Sequence, residues 1–136
     1  MVDVDELRAV HVLQMLEQAD LESLAEQAER LEVSTAGVSL IREGDFGHSV
    51  FAIVDGTAEV SVEGAVVRRL GPGDVFGEIA VLSSGRRTAS VTSTSAMRLV
   101  SFFKRDLWRL ADDRPAFGAA LREVTASPEE PSRAQT

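Results

Sequence analysis

Apolar side chains recur at helical spacing at the start of the chain. They form two groups, Leu7, Val10 and Leu13, then Leu21, Leu24, Ala25, Ala28 and Leu31. A period of about 3.6 residues is typical of amphipathic helices, so the pattern predicts two short helices within residues 3–31. Asp20 directly precedes the second group, and Glu22 follows in the first turn, so Asp20 is the expected N-cap of the second helix.

From residue 32 to residue 103 the apolar pattern changes to short β-branched or alternating runs. Turn signals such as Asp55-Gly56 and Gly71-Pro72-Gly73-Asp74 separate the runs. Short runs divided by such turns predict an all-β sandwich, barrel or roll. The predicted strands cover residues 38–41, 50–54, 58–62, 65–70, 89–93 and 97–102.

Helical spacing returns in residues 104–125. Pro115 is expected to begin the last helix, because proline suits the first helical turn. Residues 126–136 are polar and aperiodic, which predicts a disordered tail or linker. A chain of 136 residues fits one domain, so residues 1–125 are predicted to be a single domain of strands flanked by helices.

Composition and charge argue against several classes of function. A net charge of −8 argues against direct nucleic-acid binding, because a phosphate backbone requires a clustered basic surface. The sequence has no apolar run of membrane-spanning length and no signal-peptide pattern, so we expect no membrane partner and a cytoplasmic location. Cysteine is absent, and His11 and His48 are the only histidines, so no metal site is expected. The sequence also has no Ser-His-Asp arrangement and no nucleophile elbow, so no enzymatic activity is expected.

The segment 76–89 interrupts the succession of strands and carries the candidate chemistry. Gly77 to Leu82 fits one helical turn, whose free backbone N–H groups can bind an anion. Arg87 follows a short turn and can place its guanidinium on the same anion, where Thr88 adds a hydroxyl. Glu78 would repel an anion, so its expected partner is a neighbouring hydroxyl, such as that of a sugar. An anion beside a hydroxyl describes a nucleotide.

The same segment resembles the phosphate-binding cassette of cyclic nucleotide-binding domains. The family pattern is close to F-G-E-[IL]-A-L-L, a short spacer and R-[ST]-A, and this chain has FGEIAVL at 76–82 and RTA at 87–89. Residues 43–47 and 51–60 are similar to the glycine-punctuated strands of the same family. The resemblance implies an eight-stranded antiparallel β-roll, a jelly-roll-like double-stranded β-helix, with N-terminal helices, a short cassette helix and C-terminal helices.

The resemblance also implies roles for individual residues. Glu78 would accept a hydrogen bond from the ribose 2′-OH, and Arg87 would pair with the cyclic phosphate. The residues that would shape the cradle or donate to it are Gly77, Ile79, Ala80, Thr88 and Ala89. Val60 and Leu70 would be apolar walls for the sugar or the base.

In functional terms the resemblance implies a regulatory domain that is not an enzyme. The expected ligand is cAMP, with cGMP less favoured, and the hydroxyl of Thr88 is compatible with either. Occupancy is expected to move the helices of residues 104–125 and so to act on a protein partner or on a second copy in a homodimer.

Alternatives to this interpretation stay open. Glu78 and Arg87 could form a buried ion pair that only holds the roll together. The chain could also be a degenerate roll that binds no nucleotide and acts as an interaction or oligomerisation module. Trp108 could cap the base, but its helical spacing with Leu107 and Ala111 favours a place in the core.

Overall fold

A computed structural model of the chain describes residues 2–41, 49–77 and 89–126, with helices on both sides of a region of strands. The helical elements are α1 (Val4–Arg8), a 3₁₀ helix (His11–Met15), α2 (Gln18–Gln27), α3 (Lys104–Asp113) and α4 (Pro115–Ala126). The strands are β1 (Glu29–Val33), β2 (Ser39–Ile41), β3 (Ser49–Asp55), β4 (Ala58–Val62), β5 (Ala65–Leu70), β6 (Val75–Phe76), β7 (Ser90–Ser93) and β8 (Met97–Phe103).

The described strands form two four-stranded sheets. The first sheet has the order β1-β8-β3-β6, and the second has the order β2-β7-β4-β5. Every pair of neighbouring strands is antiparallel. This arrangement confirms the predicted antiparallel β-roll with flanking helices.

The first sheet separates two apolar cores. In β8, Val100 and Phe102 pack with the helices, whereas Leu99 packs against the second sheet, because successive side chains of a strand point to opposite faces. We call the two groups the helical core and the roll core. The helical core includes Leu7, Leu13, Leu21, Val75, Val100, Phe117 and Leu121, and the roll core includes Ile41, Ile53, Val60, Leu70, Phe76, Ala89, Val91 and Leu99.

The N-terminal helices differ from the sequence prediction at two points. The predicted helix to residue 31 ends at Gln27, and residues 29–33 form strand β1 instead. Pairing with β8 determines this difference, because Leu31 lies opposite Leu99 in the sheet, and tertiary pairing overrides helical spacing. The prediction that Asp20 caps α2 is wrong, because the N-cap is Glu17 and Asp20 lies in the first turn, where Arg114 binds its carboxylate.

Other ends of elements agree with the prediction. Pro115 begins α4, and the predicted strands 58–62 and 65–70 are β4 and β5. Trp108 of α3 packs against the helical core, which agrees with the favoured interpretation of this residue. Among the described helices, none is long and apolar enough to span a membrane.

An ion pair fastens α1 to the edge of the first sheet. Arg30 of β1 donates to both carboxylate oxygens of Glu6, with the Arg30 Nε 3.2 Å from the Glu6 Oε2. This hydrogen bond lowers the pKa of the Glu6 carboxyl below its usual value and raises that of the Arg30 guanidinium. The N-terminal helices are therefore held to the roll by charge as well as by the helical core.

Candidate functional site

The cassette sequence is attached to a different sheet at each of its ends. The chain leaves the first sheet at the end of β6, at Gly77, and rejoins the second sheet at the start of β7, directly after Ala89. Phe76 and Ala89, on the two sides of the segment, both belong to the roll core. The cassette sequence therefore lies, along the chain, between a strand of the first sheet and a strand of the second.

Gly77 has a backbone conformation that favours glycine. Its φ is +101°, and residues that carry a Cβ rarely adopt a positive φ of this size. The chain can therefore turn sharply as it leaves β6, and the half-buried Gly77 presents no side chain at the entrance of the cassette. The role of Gly77 in shaping a phosphate cradle stays a prediction.

The structure brings together the predicted apolar residues of the site. Val60 and Leu70 are each 2% exposed and Ala89 is 5% exposed, and all three belong to the roll core. The remaining predicted ligand residues lie outside the described residues: Glu78, Ile79, Ala80, Arg87 and Thr88. Of the predicted site, the structure thus describes three buried apolar residues and the two places where the cassette sequence joins the sheets.

A transverse row of side chains crosses the inner face of the second sheet. Strand pairing places Ile41 opposite Val91, Val91 opposite Val60, and Val60 opposite Arg68. Ile41, Val91 and Val60 are buried, and Arg68 is half-buried at the end of the row, on the edge strand β5. An arginine therefore lies beside the two residues that are predicted to line the ligand site, Val60 and Leu70.

Arg68 is a candidate that sequence reasoning missed. Its neighbour Arg69 faces outward, with a side chain 79% exposed that pairs with Glu59 at 3.4 Å between Nε and Oε2. A register irregularity lies between Val60 and Ser61, next to Arg68, and bulges often redirect side chains beside functional sites. Alternation from Leu70 would have placed Arg68 on the inner face, but a run of exposed valines, Val66 and Val67, obscures that signal.

The short strand β6 belongs to both cores. Val75 packs in the helical core, and Phe76 packs in the roll core, where its ring stacks on Phe51 with centroids 5.3 Å apart and an interplanar angle of 22°. On the helical side α4 contacts β6. The strand that leads into the cassette is thus in direct contact with the C-terminal helices.

The described residues thus form an antiparallel roll with an apolar interior, and the connection between its two sheets begins at Gly77. The chain matches the family model described as Cyclic nucleotide-binding domain over residues 32–114, more than half of its length. The chain therefore belongs to this family, and the resemblance found in the cassette sequence is confirmed.

Known proteins with similar sequences include regulatory subunits of a kinase and gated channels. A cAMP-dependent protein kinase regulatory subunit from Eremothecium gossypii is 37% identical over 107 residues, which cover 78% of this chain and 23% of that protein. A cyclic nucleotide-gated cation channel subunit from Drosophila melanogaster is 33% identical over 132 residues, or 90% of this chain and 19% of that protein. The chain thus spans less than a quarter of the length of these two relatives.

A solved structure shares both the fold and part of the sequence. It is a co-crystal structure of the regulatory domain of Toxoplasma gondii PKA with cAMP, and it is 32% identical with a TM-score of 0.67. The match covers 76% of this chain and 41% of that one.

Proposed function

We propose that this chain is a regulatory domain that binds a cyclic nucleotide and has no catalytic activity of its own. The observation that carries the proposal is the attachment of a complete cassette sequence to both sheets of the roll, at Gly77 and Ala89. Ligands of this size bind in concave apolar sites with few polar groups. A regulatory role is supported by the kinase and channel relatives.

In the proposed complex the cassette supplies the polar contacts and the roll core supplies the apolar wall. Arg87 pairs with the cyclic phosphate through its planar fork of donors, and Glu78 accepts the ribose 2′-OH. Backbone groups of Gly77, Ile79, Ala80 and Thr88 complete the phosphate cradle. Val60, Leu70 and Ala89 contact the sugar or the base.

The identity of the base is the finer part of the proposal. The kinase relatives are named for cAMP, which supports cAMP as the first ligand to test. Arg68 bears on the same question, because a guanidinium donates well to the O6 and N7 acceptors of guanine, whereas adenine presents an amino donor at the O6 position. Both cyclic nucleotides therefore belong in the first experiment.

The output proposed for the domain is a shift of its C-terminal helices. Ligand contacts at the cassette bear on β6, and β6 contacts α4 through the helical core. The ligand can shift these helices only by its difference in affinity for the two arrangements, about 1–3 kcal/mol in typical cases. A protein partner or a second copy of the chain would respond to the moved helices, with no role for nucleic acid, a membrane or a metal ion.

Calorimetric titration with cAMP and with cGMP tests the binding. We expect saturable binding by the wild type and a loss of affinity of about a hundredfold in Arg87→Ala, because the phosphate loses a charge-assisted pair of about 1.5–3 kcal/mol. Arg86→Ala is the matched control, since it removes the neighbouring cation and leaves Arg87, the residue proposed to bind the phosphate. The nucleotide affinity of this variant should stay within about threefold of wild type.

The control measurements separate the alternatives. Thermal melts of the same variants test whether Arg87 only stabilises the roll through an ion pair with Glu78. In that case the wild type would bind no nucleotide, and Arg87→Ala would lower the melting temperature. No heat from the wild type with either nucleotide would contradict the proposal and favour the interaction module. Equal losses in Arg86→Ala and Arg87→Ala would contradict the specific role of Arg87.

A further inference from the structure

Three helices meet at Arg114. It is the single residue between α3 and α4, and its φ of −128° and ψ of 85° are not helical, as expected for a residue that precedes a proline. Its backbone N–H donates to the Leu110 carbonyl at 2.9 Å, and its carbonyl accepts from the Gly118 N–H at 2.9 Å. Arg114 therefore closes one helix, opens the next and sets the angle between them.

The side chain of Arg114 fastens this junction to α2. Its Nε lies 3.2 Å from the Asp20 Oδ2, and its Nη2 lies 3.2 Å from the Asp20 Oδ1. The pair is bidentate, the strongest arrangement of an arginine with a carboxylate. The Asp20 side chain is only 13% exposed, whereas that of Arg114 is 48% exposed. The junction is thus held by a mostly buried carboxylate and a guanidinium that water can reach.

The packing around the pair is open on both sides. A cleft of about 230 Å³ lies between α2 and α3, with Ser23, Gln27, Asp106 and Arg109 in its lining. A second cleft of about 250 Å³ lies beside the start of α4, with Met15, Leu16 and Phe117 in its lining. Asp20 and Arg114 line both clefts. Both clefts are open to solvent, so water reaches the ion pair from either side and can solvate its two groups when the pair opens.

We propose that Asp20 and Arg114 form a releasable latch that holds the α3–α4 junction on α2 and thereby keeps the cassette entrance in its nucleotide-binding arrangement. The latch acts through α4, which contacts β6, and β6 ends at Gly77. A site that is already arranged for its ligand binds more tightly, because less ordering is required on binding. The inference rests on the proposed binding of a cyclic nucleotide and adds a remote control of its affinity.

The test compares nucleotide affinity in Asp20→Asn, Arg114→Gln and the double variant. We expect each single variant to bind the preferred nucleotide roughly three- to tenfold more weakly than wild type, and the double variant to be no weaker than the singles, because both changes remove one interaction. The difference from wild type should shrink in high salt, since the exposed guanidinium is screened. Arg109→Ala removes another arginine of the same cleft and should leave the affinity unchanged.

The outcomes distinguish this inference from the function on which it rests. A wild type that binds neither cAMP nor cGMP overturns the proposed function and the latch together. A wild type that binds, with variants of lower melting temperature and unchanged affinity, overturns the latch alone and leaves a structural ion pair. Independent losses that add in the double variant, or an equal loss in Arg109→Ala, also overturn it.

Discussion

Arg68 and Arg69 are neighbours in β5 that lie on opposite faces of the second sheet. Arg69 pairs with Glu59 on the outer face, and Arg68 is half-buried opposite Val60 on the inner face. Their chemistry is the same and only their position differs. The two residues therefore form a matched pair for asking whether a cation on the inner face takes part in ligand binding.

We expect Arg68→Ala to lower nucleotide affinity by about tenfold, because it removes a charge-assisted hydrogen bond worth roughly 1.5–3 kcal/mol, offset in part by solvent. Arg69→Ala should change affinity by less than about twofold, as is usual for an exposed pair. Titration with both nucleotides measures the effect. A greater loss of affinity for cGMP than for cAMP would indicate that Arg68 contacts the guanine edge. An equal loss for the two nucleotides would indicate that Arg68 contacts the sugar or the phosphate. Equal effects of Arg68→Ala and Arg69→Ala would contradict the assignment.

At the scale of elements, the turn between β3 and β4 is fixed to the turn between β7 and β8. The Thr57 N–H donates to the Ser95 Oγ at 2.9 Å, and the Thr57 and Thr94 hydroxyls lie 2.7 Å apart. Gly56 has a φ of +93°, and a Cβ there would collide with the Ala96 carbonyl oxygen and lie 2.8 Å from the Met97 Cα. Backbone therefore packs on backbone at this point.

Gly56→Ala should destabilise the domain by about 3 kcal/mol, since it combines the strain of a positive φ, about 1–2 kcal/mol, with overpacking against backbone that has no room to move. Gly64→Ala is the matched control, because Gly64 has a φ of +83° with nothing within 4 Å of a Cβ, and it should cost only the strain. Urea unfolding measures both. Equal costs for the two variants would show that the collision is relieved cheaply.

The strands are the most predictable elements, because alternation and glycine turns act locally. Strands β4 and β5 have the predicted ends. Strand β1 is missed because Ala28 and Leu31 continue the spacing of α2, and only pairing with β8 makes residues 29–33 a strand. Strand β6 is missed because two residues are too few to show a period, although this strand connects the cassette to the helices.

The candidate site is predictable where a residue type has a direct chemical meaning. Gly77 has the positive φ that glycine favours, and Val60, Leu70 and Ala89 share one core, but their roles toward a ligand stay predictions. Arg68 is not predictable from its own neighbourhood, since its position depends on the register of β5 against β4. Asp20 resembles a helix cap because it directly precedes an apolar run at helical spacing, and its partner Arg114 is too distant along the chain to appear in that local pattern. Long-range partners are the information that a local pattern lacks.

At the scale of the whole molecule, the domain has three layers: the helices, the first sheet and the second sheet. The proposed ligand site faces the roll core, and the C-terminal helices lie on the other side of the first sheet. A signal from the described part of the proposed site to these helices crosses that sheet. Strand β6 is well placed for this, because Phe76 and Val75 are consecutive residues in different cores, and α4 contacts the strand directly.

Amide hydrogen exchange of the whole chain tests this route. We expect saturating nucleotide to slow exchange in α3 and α4, because a ligand that favours the latched arrangement also lowers the population in which these helices open. Val75→Ala should reduce that slowing, since it removes the side chain that joins β6 to the helical core. Each protein is measured at a nucleotide concentration that saturates it, chosen from its own affinity. Val54→Ala is the control, because Val54 packs against the same core from β3. If the nucleotide slows exchange in the helices equally in both variants, the signal does not pass through β6. The contact between β8 and α3 then becomes the route to examine.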